Sequence, residues 1–217
     1  MTRGSFITLE GGEGVGKSTQ LKLLAGWLER AGAEVVTLRE PGGTPVGDRI
    51  RELLLDPAHA GMDARAELLL YEASRAELVA SVIRPALERG AFVICDRFAD
   101  SSTAYQAYGR ELPLTEVLEM NRLATSGLEP DLTLMLDLDP IEGVRRATAT
   151  SGADRLEAEG ADFHRRVRAG FLTIAALEPG RCRVIDACGT PEEVAVAMLA
   201  AALTLPAIAA LAGDNDR

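Results

Sequence analysis

The chain has 217 residues, of which 47% are hydrophobic and 26% charged, and its formal net charge is −10. This length fits one α/β domain with insertions, or two small domains. The acidic balance argues against a duplex nucleic-acid partner, which would need a broad basic face, but local arginines can still form a positive pocket for a small phosphorylated ligand.

Nothing in the composition predicts a membrane span or secretion. The longest apolar stretch, residues 194–212, is rich in alanine and broken by Thr204 and Pro206, so a terminal helix with a loose end is expected rather than a span. No basic segment precedes an apolar one near the first residues, so no secretion signal is expected. Cys95, Cys182 and Cys188 are unpaired by spacing. We therefore expect a cytoplasmic protein.

Apolar runs rich in β-formers alternate with helical patterns along the chain. This alternation predicts an α/β fold with a doubly wound, five-stranded parallel sheet and helices on both faces. One domain is expected over residues 1–204, followed by a partly disordered tail at 205–217. The predicted strands are 6–10, 34–38, 92–96, 132–138 and 183–186, and the predicted helices are 17–31, 46–55, 65–88, 114–126, 141–149, 161–177 and 191–203.

The first predicted strand runs directly into a Gly-x-x-x-x-Gly-Lys-Ser motif at residues 11–18, and a helical pattern follows it. In this context the glycines let backbone N–H groups surround an anion at the positive end of the helix. Lys17 can reach the outer phosphates, and the Ser18 hydroxyl can ligate Mg²⁺. The motif predicts that the protein binds a nucleoside triphosphate.

Two strand ends offer a carboxylate that could assist Ser18 at the metal. Asp96 ends the third strand, and Asp137 and Asp139 end the fourth. We favour Asp96 because Arg97 beside it indicates a polar functional edge. Asp139 is interpreted as the cap of the helix that begins near residue 140.

Five arginines are candidates for contacting phosphate, although an arginine is more often simply solvated. Arg97 follows a buried strand at its ligand-facing end. Arg75 lies one helical turn after Tyr71, so the two side chains share a helix face. The Tyr71 ring could stack on a base, and the Arg75 guanidinium could donate two parallel hydrogen bonds to a phosphate. Spacing alone favours Tyr71 as a core residue. The candidates are Arg51, Arg75, Arg97, Arg146 and Arg155.

The longer motifs of the chain resemble those of the bacterial thymidylate kinase family, from about residue 5 to residue 203. The phosphate loop is shared by hundreds of families, but Arg39-Glu40-Pro41-Gly42-Gly43 and the Asp-Arg-Phe…Ser-Ser-x-Ala-Tyr-Gln stretch at 96–106 are far more specific. Residues 130–137 and 154–157 also match. The resemblance implies a Mg²⁺-dependent kinase of the P-loop nucleoside-monophosphate kinase fold that transfers the γ-phosphoryl group of ATP to dTMP, giving dTDP and ADP for dTTP synthesis.

The resemblance also implies roles for individual residues. Catalytic roles fall to Glu13, Lys17, Arg97 and Arg155, and the metal ligands are Ser18 and Asp96. Tyr71 matches the aromatic that stacks on thymine, and Tyr105 matches the ring that crowds the 2′ position of the sugar. ATP would contact Gly11, Gly12, Glu13, Gly14, Val15, Gly16, Lys17, Ser18, Thr19 and Arg146. dTMP would contact Glu13, Glu40, Pro41, Arg51, Tyr71, Arg75, Arg97, Ser101, Ser102, Tyr105 and Gln106.

Two interpretations are open for residues 146–158. By themselves they fit an ordinary surface loop as well as a mobile lid. Some members of the family carry an arginine inside the phosphate loop, where this chain has Gly14. Arg155 is therefore expected to supply positive charge over the migrating phosphoryl group. Arg146 is expected either to assist it or to stack on the adenine.

The family's proline at position 41 is sometimes preceded by a cis bond, which is expected here too.

Two other functions stay open at the level of sequence. One is another deoxynucleotide or nucleoside kinase of the same fold, which the choice of acceptor would distinguish. The other is a P-loop regulatory nucleotide-binding protein, which would not need the acceptor-side residues. The resemblance further implies a homodimer, with the helices at 65–88 and 114–126 as a candidate interface, although their apolar stripes are equally explained by packing on the sheet.

Overall fold

The structure of the chain is a computed structural model that describes residues 3–151 and 155–214. These residues form a five-stranded parallel sheet in the order β2-β3-β1-β4-β5, as the alternating pattern predicted. The strands are β1 (Phe6–Glu10), β2 (Val35–Arg39), β3 (Phe92–Asp96), β4 (Leu132–Asp137) and β5 (Cys182–Asp186).

Helices cover both faces of the sheet. Successive residues of β1 point to opposite faces, so Ile7 and Leu9 pack in one cluster with Leu28 of the first helix, while Phe6 packs in another with Ile83. All five residues of β1 are buried, as expected for the central strand of a parallel sheet. The helices are α1 (Lys17–Arg30), α2 (Pro45–Leu55), α3 (Ala64–Leu78), α4 (Arg84–Glu88), α5 (Ala99–Ser102), α6 (Leu114–Thr125), α7 (Pro140–Ser151), α8 (Ala161–Leu177), α9 (Pro191–Ala202) and α10 (Pro206–Asp214).

The strand register brings three polar segments to one edge of the sheet. Leu9 of β1 and Arg39 of β2 both pair with Asp96 of β3, so the carboxyl ends of these strands are level with each other. The segments that follow them therefore lie side by side, at the edge where parallel sheets bind ligands. These segments are the phosphate loop, the stretch after Arg39 and the stretch after Asp96.

Two helical segments differ from the prediction. The single helix expected at 65–88 is divided by a wider π-helical turn, Val79–Ile83, just before Pro85, which has no N–H to donate to the preceding turn. The residues after Phe98, for which no helix was predicted, form α5 and a second π-helical turn, Thr103–Gly109. Their small hydroxyl-bearing side chains are weak helix formers, which hid this segment.

The segment expected as a partly disordered tail is helical over most of its length. α10 begins at Pro206, and Ile208 is fully buried in the same cluster as Leu28 and Met198. Residues 215–217 of the predicted tail lie outside the described residues.

Within the described ranges no single helix is both long and apolar enough to cross a membrane. α9 and residues Pro206–Gly213 reach that standard only when taken together, and a bend of 106° separates them.

Candidate active site

The phosphate loop joins β1 to α1 and leaves the first N–H groups of the helix free for an anion. Gly16 precedes α1 with φ of 91°, and no side chain caps the helix. Glycine is required at position 14, where φ is 63° and a Cβ would meet the Gly143 carbonyl oxygen of α7. The loop is therefore packed tightly between α1 and α7, with its anion-binding groups presented at the ligand edge.

Lys17 lies over this loop in a buried position. Its Nζ donates to the Gly12 carbonyl at 2.7 Å and to the Gly11 carbonyl at 3.2 Å. Burial lowers the pKa of the Lys17 ammonium to about 8. A bound phosphate would supply compensating negative charge for this ammonium.

Ser18 and Asp96 form the oxygen pair expected of a magnesium site. The Ser18 hydroxyl donates to Asp96 Oδ2 at 2.9 Å in an exposed position. Asp137, the competing carboxylate, is instead held in an ion pair with Arg168 at 2.7 Å. Asp139 Oδ1 accepts hydrogen bonds from two N–H groups at the start of α7, so its predicted capping role is confirmed.

Among the described residues no group of three or more His, Cys, Asp or Glu side chains could hold a metal ion. A serine hydroxyl with one carboxylate still fits Mg²⁺, because this ion commonly takes only one or two protein ligands and completes its shell with substrate phosphates and water.

Glu13, Arg97 and Tyr105 form a hydrogen-bonded cluster beside the phosphate loop. Arg97 donates to Glu13 Oε1 at 2.8 Å, and the Tyr105 hydroxyl donates to the same oxygen at 2.6 Å. Burial alone would raise the pKa of the Glu13 carboxyl, but the charges of Arg97 and Lys17 outweigh it and hold the pKa at about 2. Glu13 is therefore an anion that fixes the Arg97 guanidinium against the loop.

The backbone of Arg97 is held in a left-handed conformation, with φ of 73°, by a carboxylate that the sequence analysis did not single out. Glu10, fully buried at the end of β1, accepts from the Phe98 N–H at 2.7 Å and from the Ser101 hydroxyl at 2.6 Å. Burial raises the pKa of Glu10 to about 8, with a further contribution from Asp100.

A small cavity next to this cluster contains most of the predicted dTMP-binding residues. Arg75, at its wall, is 1% exposed, and its three nitrogens all have acceptors inside the protein, including Glu40 at 2.7 Å and Glu72 at 2.6 Å. Burial raises the pKa of Glu40 to about 7, and its second oxygen has no partner within the described part of the chain. The cavity is lined by Glu40, Tyr71, Arg75, Arg97, Ser101, Ser102, Tyr105, Gln106 and Leu156.

A larger cavity continues from this one to the phosphate loop. Arg51 is held at its wall by a bond from Nη1 to the Pro41 carbonyl at 2.9 Å, and the Glu40–Pro41 peptide bond is cis, as expected. Arg39, which the sequence analysis did not assign, also lines this space. Its position directly before Glu40 at the end of β2 was the available signal. The lining includes Glu13, Gly14, Gly16, Lys17, Ser18, Thr19, Glu40, Pro41, Arg51, Tyr71, Asp96, Arg97, Arg146, Leu156 and Glu157.

Three predicted phosphate-loop residues do not line this space. Gly11, Gly12 and Val15 line a separate cavity behind the loop, together with His164 and Arg168. Backbone groups of the loop still face the ligand edge at Gly14, Gly16 and Lys17.

The structure places the two arginines of the predicted lid differently. Arg146 lines the large cavity and pairs with Glu142 at 2.8 Å, but Arg155 lines neither cavity of the ligand edge. Its side chain is 1% exposed, its Nε donates to the Leu54 carbonyl at 2.7 Å, and its Nη1 forms an ion pair with Glu67 at 2.5 Å. The guanidinium therefore lies in the interior against the buried carboxylate of Glu67. Of the predicted lid at 146–158, residues 152–154 lie outside the described residues.

The chain is similar to known proteins over most of its length. A family model described as thymidylate kinase matches residues 9–197. A thymidylate kinase of Deinococcus radiodurans is 52% identical over 201 residues, covering 93% of this chain and 97% of that protein. One of Clavibacter michiganensis subsp. michiganensis is 53% identical over 210 residues, covering 96% and 99%. The crystal structure of thymidylate kinase from Ehrlichia chaffeensis superposes with a TM-score of 0.73 at 34% identity, covering 91% of this chain and 97% of that one.

Proposed function

Because the chain belongs to the thymidylate kinase family, we propose that it transfers the γ-phosphoryl group of ATP to dTMP in the presence of Mg²⁺, giving dTDP and ADP. One observation carries the proposal. A phosphate loop and a separate pocket with an aromatic ring and a guanidinium open into the same space, and Glu13 and Arg97 lie where they meet. Two mononucleotides with their phosphates facing each other would occupy this space.

The donor nucleotide is assigned to the phosphate loop. The free N–H groups at the start of α1 and the ammonium of Lys17 would bind the β- and γ-phosphates, with Ser18 and Thr19 at their side. Arg146 of α7 lines the same space and is the candidate for a side-chain contact with ATP. A main-chain cradle of this kind aligns the phosphates without recognising the base.

The acceptor nucleotide is assigned to the small cavity. Tyr71 offers a ring for stacking on the base, and Gln106 offers an amide for its edge. Arg51 and Arg97 would hold the acceptor phosphate, and Tyr105 would crowd the 2′ position of the sugar. A packed ring resists displacement, and Tyr105 is 4% exposed with Phe163 and Phe171 against it, which supports selection of deoxyribose.

Phosphoryl transfer requires alignment and neutralisation of charge more than covalent chemistry. Lys17, Arg97 and Arg146 are cations at the space where the two phosphate groups would meet. The Glu13 anion, with its pKa of about 2, keeps Arg97 in place over the whole physiological pH range. With Arg155 buried elsewhere, we assign the positive charge around the migrating group to Lys17, Arg97 and Arg146, with Arg39 and Arg51 at the wall.

Ser18 and Asp96 are the residues proposed to hold Mg²⁺. The bound ion supplies neutralisation of the phosphate oxygens. Asp96 accepts the hydrogen bond from the Ser18 hydroxyl at 2.9 Å, which orients that oxygen.

A homodimer is proposed from two neighbouring helices that expose leucines. Leu69 of α3 is 57% exposed, and Leu114 and Leu118 of α6, four residues apart on one face, are 40% and 48% exposed. Sedimentation or light scattering of the purified protein tests this.

A cytoplasmic location is proposed because Cys95, Cys182 and Cys188 are free thiols, which fits a reducing compartment. No nucleic-acid or membrane partner is proposed.

An acceptor screen tests the proposed function. Purified protein is incubated with ATP, Mg²⁺ and one of dTMP, dUMP, dCMP, dGMP, dAMP or thymidine, and the nucleotide products are separated. We expect dTMP to be converted to dTDP with the highest kcat/KM. Release of phosphate to water without a diphosphate product, or preference for another acceptor, would contradict the proposal.

A further inference from the structure

A fully buried carboxylate, Glu67 of α3, lies behind the acceptor cavity and has no place in the chemistry described so far. Gln106 donates to it through Nε2 at 2.9 Å. Arg110 donates to it through Nε at 3.2 Å and Nη2 at 3.1 Å, and Arg155 forms the ion pair described above. Of these partners only Gln106 also lines the acceptor cavity.

We propose that Glu67 is a positioning residue that determines which end of the Gln106 amide faces the base, and thereby excludes cytosine. An ionised carboxylate only accepts hydrogen bonds, so it must be met by the NH₂ end of the Gln106 amide. The carbonyl oxygen at the other end is then available to the ligand, and no donor is bonded to it among the described residues. The inference rests on the proposed function, because it takes the ligand to be a pyrimidine monophosphate.

The surrounding charges keep Glu67 an acceptor. Burial by itself would raise the pKa of Glu67, but the hydrogen bonds from Arg110 and Gln106 and the charges of Arg110 and Arg155 lower it below its ordinary value. The side chain is thus ionised at neutral pH. This gives Arg155 a function in the interior, as one of the two cations that stabilise the Glu67 carboxylate.

The fixed amide matches one pyrimidine edge and opposes another. Gln106 lines the acceptor cavity, and with its NH₂ end held by Glu67 it can offer its carbonyl oxygen there as an acceptor. Thymine has a donor at N3, which complements this acceptor. Cytosine has an acceptor at N3, so the same contact would be unfavourable, and buried polar groups left without partners are costly.

The test is the Glu67→Gln variant, with kcat/KM measured for dTMP and dCMP on one preparation. A glutamine at 67 can offer its own NH₂ group to Gln106, which then can turn its NH₂ end to the base. We expect the dTMP-to-dCMP ratio of kcat/KM to fall by about 10- to 100-fold. A ratio is insensitive to the fraction of folded protein, so a merely structural defect would not change it. An unchanged ratio overturns the inference.

A double-mutant cycle identifies the route of the effect. In the Gln106→Ala background, Glu67→Gln should cause no further change in the ratio. An equal fall in that background would overturn the inference, because Glu67 would then act without Gln106. Glu159→Gln is the matched control. Glu159 pairs with Arg110 at 2.5 Å but makes no hydrogen bond to Gln106 among the described residues, so its replacement should leave the ratio unchanged.

Two further measurements test the inference even if the Glu67→Gln variant does not fold. The double variant Glu67→Gln/Arg110→Gln removes one charge of each sign, and its dTMP-to-dCMP ratio of kcat/KM should fall as in Glu67→Gln. The unmodified protein should reject 3-methyl-dTMP, which lacks the N3 donor, and equal use of it and dTMP would overturn the inference. If the unmodified protein does not phosphorylate dTMP at all, the proposed function fails. If it prefers dTMP strongly and Glu67→Gln prefers it equally, only the role of Glu67 fails.

Discussion

Replacing Arg155 by alanine separates a structural role for this arginine from the catalytic role that its family motif implied. In the structure the Arg155 side chain is 1% exposed, its ion-pair partner Glu67 is fully buried, and its Nε donates to the Leu54 carbonyl. The substitution therefore leaves a buried carboxylate with less compensating charge and a carbonyl without its donor. Both effects destabilise the folded state.

The magnitude follows from the partners that remain. Removing one member of a buried ion pair costs about 3–5 kcal/mol. Glu67 keeps the hydrogen bonds from Arg110 and Gln106, so the lower end applies, about 3 kcal/mol. For a protein of this length that free energy corresponds to a fall in Tm of about 6–12 °C.

The assay is urea denaturation together with turnover at saturating substrates, expressed per folded molecule. We expect the free energy of unfolding to fall as calculated and kcat to change far less than the factor of about 10³ typical of an arginine that stabilises a transferring phosphoryl group. Arg165→Ala is the control. Arg165 is 57% exposed and pairs with Asp162 at the surface, so its loss should cost under about 0.5 kcal/mol. An Arg155→Ala variant with unchanged stability and a thousandfold lower kcat would refute this reasoning.

Three more outcomes follow from the same structure. Tyr105→Ala should lower the preference for dTMP over its ribose counterpart by about tenfold or more, and an equal kcat/KM ratio in both proteins would contradict this. Asp96→Asn should raise the Mg²⁺ concentration needed for half-maximal rate by about 10- to 100-fold, because the carboxylate charge beside the Ser18 hydroxyl is removed, and a superimposable Mg²⁺ titration would count against it. Because burial raises the pKa of Glu10 from 4.5 to about 8, the folded state binds that proton more tightly than the unfolded chain, so stability should decline as pH rises through this range. Glu10→Gln should make that decline shallower in urea titrations at several pH values, and parallel curves for the two proteins would exclude this assignment.

Much of the fold was predictable because it depends on local pattern. The run from Phe6 to Glu10 followed by a glycine loop and an amphipathic helix predicts a strand, an anion site and a helix without knowledge of the rest of the chain. The short segment after Phe98 was not predictable in this way. Its small polar residues form a helical turn because Glu10, far away in sequence, accepts hydrogen bonds from Phe98 and Ser101.

The candidate site was predictable where its residues follow the strands directly. Arg97 and Asp96 are placed by the end of β3, and Tyr71 and Arg75 share a helix face by their spacing. The position of Arg155 was not predictable, because a motif gives the residue type but not its partner. Only the folded chain brings Glu67 of α3 against it, where both side chains are buried and their opposite charges attract each other.

The sequence by itself therefore determined that this protein has a parallel sheet with a phosphate loop at its ligand edge, because periodicity and glycine spacing act over a few neighbouring residues. The tertiary structure decided which charges meet. Glu10 with the backbone after Arg97, and Glu67 with Arg110 and Arg155, are pairs separated by tens of residues in the chain. Such pairs depend on burial and distance, which exist only once the helices have packed on the sheet.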